Sequence, residues 1–253
     1  MRVISLQSGS SGNCIYVECG ETRLLFDAGI SGICAQNRLS MHGIDIRSVN
    51  AVFITHDHRD HTASMSAFHR KFKLPVWMTL KTCEAVQAKG IRVPGGVEHF
   101  CANTRFRFRD ICIEAISTPH DAADGVCFVV DDGRTRFGIC TDLGHVFPEL
   151  PAVIESLDGV LLESNYDPEM LANGFYTQWA KDRIRSRAGH LSNFESANLL
   201  ARHGKRLQKI ILGHISHENN SPHCVLDAHH RILGERFRCI LAPHFDSSEL
   251  VEL

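Results

Sequence analysis

Apolar and polar positions in the first third of the chain follow the spacing of short strands. The segments RVISLQ, NCIYVE and RLLFDAG alternate or run apolar, with glycine-rich breaks between them, and they predict three strands. Ser31 stands where an N-cap is expected, before a helix that should end at Gly43. The apolar run VNAVFIT predicts a buried strand, and a helix from about Thr62 to Lys71 should follow it.

The rest of the chain mixes both periods. PVWMT, ICIEAIS, VCFVVDD and TRFGICTD predict strands, with a short helix near Lys81–Lys89 and a hairpin turn at Asp132–Gly133. RFRFRD predicts an edge strand with one polar face. In the last third, the predicted strands DGVLLES, KIILG and RCILA alternate with helices predicted at Gln178–Arg187, Asn193–Gly204 and Pro222–Leu233.

This order of elements predicts an α/β (α+β) fold, in which two mixed β-sheets pack together and helices cover them on the outside. The 253 residues, of which 43% are hydrophobic and 22% charged, suit a globular protein with a substantial core. No repeat, low-complexity segment or flexible linker interrupts the pattern, so we expect a single domain over residues 1–253.

Bulk charge and the chain's apolar stretches give little information about partners. The net charge of -2 provides no argument for a polyanionic partner, although it leaves room for local basic patches. The start MRVISLQSGSSGN lacks the hydrophobic core of a signal peptide, and no stretch reaches transmembrane length. We therefore expect a cytoplasmic protein without membrane association, whose oligomeric state the sequence leaves open.

Candidate chemistry is concentrated in the segment THDHRDH, directly after the predicted buried strand. Three imidazoles and two carboxylates fall between His56 and His61. In an extended loop His56 and His58 share one side, and Asp60 and His61 follow where the chain turns into a helix, so one loop can offer two pairs of ligands to two adjacent metal ions. Imidazole with carboxylate suits zinc, manganese or iron, whereas all-oxygen sites suit magnesium or calcium.

Three later strands also end on residue types that bind metals. ISTPHDA places His120 after an apolar strand, FGICTDLG places Asp142 after the next, and IILGHIS places His214 after a third. A single histidine at a strand end is more often structural than a ligand. Three such ends downstream of the H-x-H-x-D-H loop favour one shared metal site.

Together, these motifs resemble the metallo-β-lactamase superfamily of dinuclear hydrolases. The resemblance covers nearly the whole chain and implies a four-layer αββα sandwich with two divalent metal ions at one sheet edge. It implies the following ligands: His56, His58 and His120 for one ion; Asp60, His61 and His214 for the other; Asp142 as a bridge between both.

Two metal ions roughly 3.5–4 Å apart share a water molecule and lower its pKa toward neutrality, which gives a hydroxide nucleophile. The same ions bind the non-bridging oxygens of a phosphodiester and neutralise the charge that grows in the transition state. Asp57 lies inside the motif but outside the ligand positions. It is a candidate catalytic residue that orients a metal-bound histidine or the water, and a surface or capping role fits equally well.

Four segments narrow the substrate class. LQSGSSGNCIYVE, LLFDAGIS, TPHDAADGVCFVV and ILGHISHENNSP together are similar to the YycJ/WalJ-like group of the superfamily. That resemblance implies 5′-to-3′ exonuclease activity on single- or double-stranded DNA ends, in DNA repair or replication.

Glu163 at the end of GVLLE and His190 in AGHLSN are candidate catalytic residues, although strand-end solvation explains Glu163 equally well and a surface position at a helix start is the alternative for His190. In β-CASP nucleases such as ribonuclease J, an acidic residue and a histidine at comparable places lie near the catalytic centre, and the histidine binds the scissile phosphate. By this resemblance His190 binds phosphate or protonates the leaving oxygen. Only 47 residues separate Asp142 from His190. The inserted β-CASP domain is therefore absent from the expected architecture.

Further substrate contacts are less specific. The small residues of SGSSGN, among them Ser10 and Ser11, leave backbone N–H groups that can cradle a phosphate, although a tight turn explains them equally well. His217 follows the presumed ligand His214 by three residues and is a candidate substrate contact or loop cap. Basic residues precede His190 in AKDRIRSRAGH and can track a phosphate backbone, or simply form a solvated helix face.

The sequence therefore predicts a dinuclear metal-dependent phosphodiesterase, with a DNA exonuclease as the leading hypothesis. Two alternatives remain. One is a hydrolase of small cyclic or organic phosphodiesters, which the missing clamp domain would suit. The other is a regulatory module that keeps the fold without catalysis, against which the complete ligand set argues.

Overall fold

Strands of the first half are apolar on both faces because each lies between a helical layer and a second sheet. In the computed structural model, which describes residues 1–253, Ile4 and Leu6 face the outer helices, whereas Val3 faces the interior between the sheets. The strands are β1 Arg2–Gln7, β2 Cys14–Cys19, β3 Thr22–Phe26, β4 Ala51–Phe53, β5 Val76–Met78, β6 Glu98–His99, β7 Thr104–Phe108, β8 Ile111–Ser117, β9 Val126–Asp131, β10 Arg136–Cys140, β11 Gly159–Glu163, β12 Lys209–Gly213, β13 Cys239–Leu241 and β14 Val251–Glu252.

These strands form two seven-stranded sheets of mixed direction. The first has the order β14-β1-β2-β3-β4-β5-β6, antiparallel from β14 to β3 and parallel from β3 to β6. The second has the order β13-β12-β11-β10-β9-β8-β7, parallel from β13 to β10 and antiparallel beyond. The predicted edge strand RFRFRD is confirmed, because β7 closes one side of the second sheet.

Helices cover both outer faces, and the predicted αββα sandwich is confirmed. The helices α1, α3 and α4 pack on the first sheet, and α5, α8 and α9 pack on the second. Between the sheets lies an aromatic core in which the rings of Phe26 and Phe128 are 5.1 Å apart. The helices are α1 Gly32–Met41, α2 Arg59–Thr62, α3 Met65–Phe72, α4 Leu80–Ala88, α5 Leu150–Glu155, α6 Pro168–Asn173, α7 Gln178–Arg185, α8 Asn193–His203 and α9 Pro222–Leu233.

The predicted elements differ from the structure mainly at their ends. The helix expected from about Thr62 to Lys71 is wrong in extent: α2 and α3 are separate helices, and the backbone N–H of Ser64 leaves the helical pattern to donate to the carbonyl of Ala28. The six-residue helices α5 and α6 were not predicted, because each is too short for a helical period to show. No helix combines the length and the apolar character needed to cross a bilayer.

Several strands deliver polar side chains to one edge of the sandwich. β3 and β12 run directly into Asp27 and His214, and β4 and β10 reach Thr55 and Asp142 two residues after their last residue. Asp27, Asp142 and His214 have positive φ angles of 65°, 56° and 50°. For residues other than glycine this conformation costs about 1–2 kcal/mol, so the surrounding contacts must hold these three residues in place.

Candidate metal centre

The loop after β4 is held against the end of β3, and this contact sets its shape. The backbone N–H of Thr55 donates to Oδ1 of Asp27 at 2.8 Å, and the backbone N–H of Asn13 donates to the carbonyl of Asp60 at 2.8 Å. The loop is thereby fixed at both ends, and the rings of His56 and His61 lie with their centroids only 4.0 Å apart.

Asp27 and Thr55 decide which nitrogen of two histidines faces the cluster. Nδ1 of His61 donates to Oδ2 of Asp27 at 2.8 Å, so in the neutral ring that a metal ion would bind, Nε2 keeps the lone pair. The hydroxyl of Thr55 donates to Asp27 at 2.9 Å and accepts from Nδ1 of His56 at 2.9 Å. Nε2 of His56 is left buried without a hydrogen-bond partner. Both histidines therefore present Nε2 as a ligand atom.

Two further histidines are oriented by backbone carbonyls. Nδ1 of His120 donates to the carbonyl of Gly189 at 2.8 Å, which leaves Nε2 for the cluster. Nε2 of His58 donates to the carbonyl of Asp121 at 3.2 Å, so His58 presents the other nitrogen, Nδ1, which lies 3.3 Å from Nε2 of His120. Such hydrogen bonds fix the tautomer and ring orientation of metal-binding histidines.

Asp142 lies between the two groups of histidines. Its Oδ2 is 3.4 Å from Nε2 of His61 and 3.2 Å from Nδ1 of His214, whereas its Oδ1 is 3.5 Å from Nε2 of His120. The side chain is almost fully buried. One carboxylate with one oxygen toward each group is the arrangement that a bridging ligand requires.

The donor set fits divalent metal ions. Oδ2 of Asp142 and Nδ1 of His214 are buried without a hydrogen-bond partner, like Nε2 of His56, and such groups are costly unless something satisfies them. Imidazole and carboxylate donors suit transition-metal ions. Four sets bring their donor atoms within 4.8 Å of one another: His56, His58 and His120; Asp60, His61 and His214; His56, His61 and Asp142; His120, Asp142 and His190. The first two sets match the predicted division of the ligands, and the binding role of these residues stays a prediction.

Charges in the cluster favour a cation. Burial opposes protonation of His61, but the carboxylates around it, Asp27 foremost, raise the pKa of its imidazole well above the usual value. Burial also disfavours the ionised carboxyl of Asp142, yet His214 and His61 hold its pKa well below the usual value. Burial, reinforced by His61, lowers the pKa of His56. The negative charge that stabilises a proton here would equally attract a metal ion.

Glu163 and His190 form a hydrogen-bonded pair at the rim of the cluster. Nδ1 of His190 donates to Oε1 of Glu163 at 2.5 Å, and Oε2 of the fully buried Glu163 accepts from the backbone N–H of Leu143 at 3.0 Å. Burial opposes protonation of His190, but Glu163 raises the pKa of the imidazole overall. The ring lies 4.9 Å from that of His120. The structure thus brings both candidates to the cluster, and their catalytic role stays a prediction.

Asp57 is buried, but its carboxylate makes no hydrogen bond to a histidine of the cluster. Its Oδ1 accepts from the backbone N–H of Ala123 at 2.9 Å, and its Oδ2 pairs with the ammonium group of Lys89. Both carboxylate oxygens therefore bond away from the histidines of the cluster, and the catalytic role of Asp57 stays a prediction. The carboxylate instead ties the loop of His56–His61 to the loop that carries His120.

The SGSSGN turn lies beside the cluster, with part of its backbone already used. The N–H of Gly9 donates to Oδ1 of Asn13 at 2.8 Å, and the N–H of Gly12 donates to the carbonyl of Gly9 at 2.9 Å. Ser10 and Ser11 are exposed, and their backbone N–H groups make no hydrogen bond within the protein. A phosphate contact by these two residues stays a prediction.

His217 lies outside the cluster. Its side chain is 63% exposed, and Nδ1 is 3.2 Å from a carboxylate oxygen of Glu218. Its ring centroid is 5.6 Å from that of His244, which packs on the SGSSGN turn at Gly9. A substrate contact here would therefore be made beyond the metal site, and it stays a prediction.

Two residues that position the cluster were missed in the sequence. Asp27 holds both His61 and the loop backbone, and Asn13 places its side-chain amide 3.0 Å from Nε2 of His61 and 3.2 Å from Oδ2 of Asp60. The available signal for Asp27 was a carboxylate directly after the apolar run RLLF, at the same kind of strand end that revealed Asp142.

A four-layer αββα sandwich with histidines and aspartates gathered at one sheet edge defines a metal-dependent hydrolase. The family model for the beta-lactamase superfamily domain matches residues 22–215. The chain belongs to this family, and the resemblance noted in its motifs is confirmed.

The relatives that match most of the chain are named as exodeoxyribonucleases. Exodeoxyribonuclease WalJ of Streptococcus pneumoniae is 36% identical over 219 residues, which cover 85% of this chain and 81% of the relative. Exodeoxyribonuclease YycJ of Bacillus anthracis is 33% identical over 217 residues, which cover 85% and 82%.

Solved structures with low sequence identity share the fold. The metallo-beta-lactamase fold protein YhfI of Bacillus subtilis superimposes with a TM-score of 0.76 at 14% identity, over 99% of both chains. Zn²⁺-bound PqqB of Methylobacterium extorquens reaches a TM-score of 0.73 at 20% identity, over 100% of both chains. The short form of human tRNase Z reaches 0.69 at 15% identity, over 100% and 99%.

Proposed function

We propose that this protein is a metal-dependent exodeoxyribonuclease that hydrolyses phosphodiester bonds at DNA ends. The observation that carries the proposal is the 33–36% identity, over 85% of the chain, to proteins named as exodeoxyribonucleases. We further propose that residues 1–253 act as one hydrolase domain, with 5′-to-3′ polarity in repair or replication as the resemblance implies.

Two divalent ions are the proposed cofactors, with zinc or manganese as the first choices and iron as a third. His56, His58 and His120 would hold one ion, Asp60, His61 and His214 the other, and Asp142 both. Ions bound there supply an activated water and Lewis acidity toward the phosphodiester. The donor atoms support this assignment because backbone carbonyls, Thr55 and Asp27 already fix the orientation of four of the imidazoles.

His190 is the proposed substrate-binding catalytic residue. The hydrogen bond from its Nδ1 to Glu163 fixes the ring, and its Nε2 makes no hydrogen bond within the protein. From there Nε2 can donate to a phosphate oxygen, or to the leaving oxygen as the ester bond breaks. Glu163 acts through His190, because both of its oxygens are engaged inside the protein.

Metal-loaded protein should shorten DNA labelled at either end, and His190→Ala should lower kcat about 10²–10⁴-fold, the usual contribution of a general acid or base. Glu163→Gln should lose less, because the single amide oxygen can still accept from Nδ1 of His190, although the amide NH2 group then faces the N–H of Leu143. His203→Ala is the matched control: its Nδ1 donates to Glu155 at 2.7 Å on the outside of the second sheet, so activity should persist.

The readout should include bis-p-nitrophenyl phosphate beside single- and double-stranded DNA. Hydrolysis of the small diester with both DNA forms untouched would reject the nuclease proposal and favour the small-diester alternative. If His190→Ala cleaves DNA as fast as the unsubstituted protein does, only the proposed role of His190 is rejected.

A further inference from the structure

Three large aromatic side chains lie exposed within five residues. Phe175, Tyr176 and Trp179 expose 106%, 40% and 76% of their surface. They belong to the end of the α6–α7 connection and to α7, a helix that buries none of its eight residues. Burial in the core therefore does not explain these aromatic residues. Exposed apolar surface concentrated in this way usually marks a binding site.

The same segment carries an excess of positive charge. Between positions 174 and 189 there is one acidic residue, Asp182, and there are four basic ones: Lys181, Arg183, Arg185 and Arg187. The ammonium group of Lys181 and Nε of Arg185 donate only to backbone carbonyls, at 2.7 and 3.4 Å. Neutral acceptors leave both charges available to an anion. We call residues 175–187 the aromatic–basic segment.

The aromatic–basic segment is attached to the rim of the candidate metal centre. Nε of Arg183 is 2.6 Å from Oδ2 of Asp121, whose backbone carbonyl accepts the hydrogen bond from His58. Trp179 and Arg183 are four residues apart and therefore share one face of α7. At the other end, the backbone N–H of His190 donates to the carbonyl of Ile184 at 3.0 Å.

We propose that the aromatic–basic segment binds single-stranded DNA, with unpaired bases stacked on Trp179 and Phe175 and phosphates contacted by Lys181 and Arg185. Aromatic rings for stacking and basic side chains for the phosphates are the elements of sequence-tolerant single-strand binding, because every base has a π-face. The inference rests on the proposed function, for which it adds a binding site next to the cleavage site.

The charge pattern favours a nucleic acid over a protein partner. Protein interfaces are also rich in aromatic residues and arginine, but here four basic residues follow the aromatic ones with only Asp182 among them, an excess of positive charge that suits a polyanion. Stacking also requires unpaired bases, so the proposal specifies single strands rather than intact duplex.

The test measures binding separately from cleavage. Metal-loaded protein is titrated with phosphorothioate-linked oligonucleotides, which resist hydrolysis, and the single-stranded and blunt duplex forms are compared by fluorescence anisotropy. Trp179→Ala and Phe175→Ala should each weaken single-strand binding about fivefold or more, the value of one lost stacking contact. Trp179→Phe should restore most of the affinity, because a phenyl ring still stacks.

The fluorescence of Trp179 gives a second measure of DNA binding, because the chain has only one other tryptophan. That residue, Trp77, is half-buried between the sheets. Single-stranded DNA should quench the emission of the unsubstituted protein but not that of Trp179→Phe. Met41→Ala is the control, because it also removes an exposed apolar side chain: Met41 on α1 is 71% exposed. This variant should bind single-stranded DNA normally.

Unchanged single-strand affinity of Trp179→Ala and Phe175→Ala would overturn the proposal, even if the protein degrades DNA. A change in sedimentation coefficient of these variants with DNA affinity intact would identify the segment as a protein interface instead. Failure of the unsubstituted, metal-loaded protein to cleave any DNA would reject the nuclease function, whatever the binding result.

Discussion

The histidine cluster and the aromatic–basic segment are joined at Asp121, yet they are constructed in opposite ways. In the cluster, ring nitrogens of His56, His58, His61 and His120 are held by protein acceptors, and nearly every side chain is buried. In the segment no residue of α7 is buried. The first arrangement holds the donor atoms in one orientation, as metal binding and bond cleavage require.

The second arrangement suits a flexible, repetitive ligand. Stacking and phosphate contacts tolerate movement along a strand, so rigid burial would bring no benefit. The comparison predicts that substitutions in the cluster change metal content and turnover, whereas substitutions in the segment change affinity and its dependence on salt.

The largest effect should come from Asp142→Asn. Each carboxylate oxygen of Asp142 faces a different group of histidines, and an amide can offer only one oxygen. Loss of a partner that merely orients a ligand costs 10–100-fold in metal affinity or activity. Loss of a shared ligand should cost more than about a hundredfold in turnover, together with at least one metal equivalent. Elemental analysis of the dialysed protein and initial rates on DNA measure both.

Asp158→Asn is the matched control for that substitution. Asp158 is also a buried aspartate of the second sheet, but it precedes β11 at the opposite edge, where it pairs with Arg206 at 2.8 Å. Its substitution should lower the free energy of unfolding while metal content stays the same. Full metal occupancy in Asp142→Asn would contradict the bridging role.

Asp27→Asn should have the next largest effect. Asn adopts positive φ angles as readily as Asp does, so the backbone at 65° is preserved and only the charge changes. The carboxylate now accepts from both Nδ1 of His61 and the N–H of Thr55, and an amide can accept through only one atom. We expect metal affinity to fall about 10–100-fold, as measured by competition with a chelator.

The exposed Asp45, which accepts from Arg47 at a surface turn, provides the control as Asp45→Asn. Equal chelator competition by Asp27→Asn and the unsubstituted protein would show that the orientation of His61 does not depend on this carboxylate.

Local motifs explain why the cluster was largely predictable. Four of the seven proposed ligands lie between His56 and His61, and the others follow apolar strands whose ends meet at one edge. The positioning contacts were not predictable, because they join distant residues. Asp57 pairs with Lys89, which lies 32 positions further along the chain. His120 is oriented by the backbone carbonyl of Gly189, a group that every residue possesses.

The aromatic–basic segment was only half predictable, for a different reason. The α7 helix itself was expected from its spacing, and its basic residues were visible in the sequence. Aromatic residues near a helix usually point into the core, so the exposure of Phe175 and Trp179 became evident only when α7 proved to bury none of its residues.

The smallest effect, on the dependence of affinity on salt, distinguishes the two regions most directly. Each phosphate that a protein neutralises on a single strand contributes about 0.7 to the slope of log affinity against log salt concentration. Combining Lys181→Gln with Arg185→Gln should therefore reduce that slope by about 1.4, with metal content unchanged. Anisotropy titrations with single-stranded DNA at a series of salt concentrations measure the slope.

The control combines Arg202→Gln with Lys205→Gln, which removes the same charge from exposed positions at the far end of α8. If both double variants reduce the slope equally, the effect comes from net charge and the aromatic–basic segment has no special part in it. A reduction confined to Lys181 and Arg185 would place the phosphates of the strand beside α7. Substrate would then be bound by the exposed region and cleaved in the buried one, which explains why one chain needs two sites of such different construction.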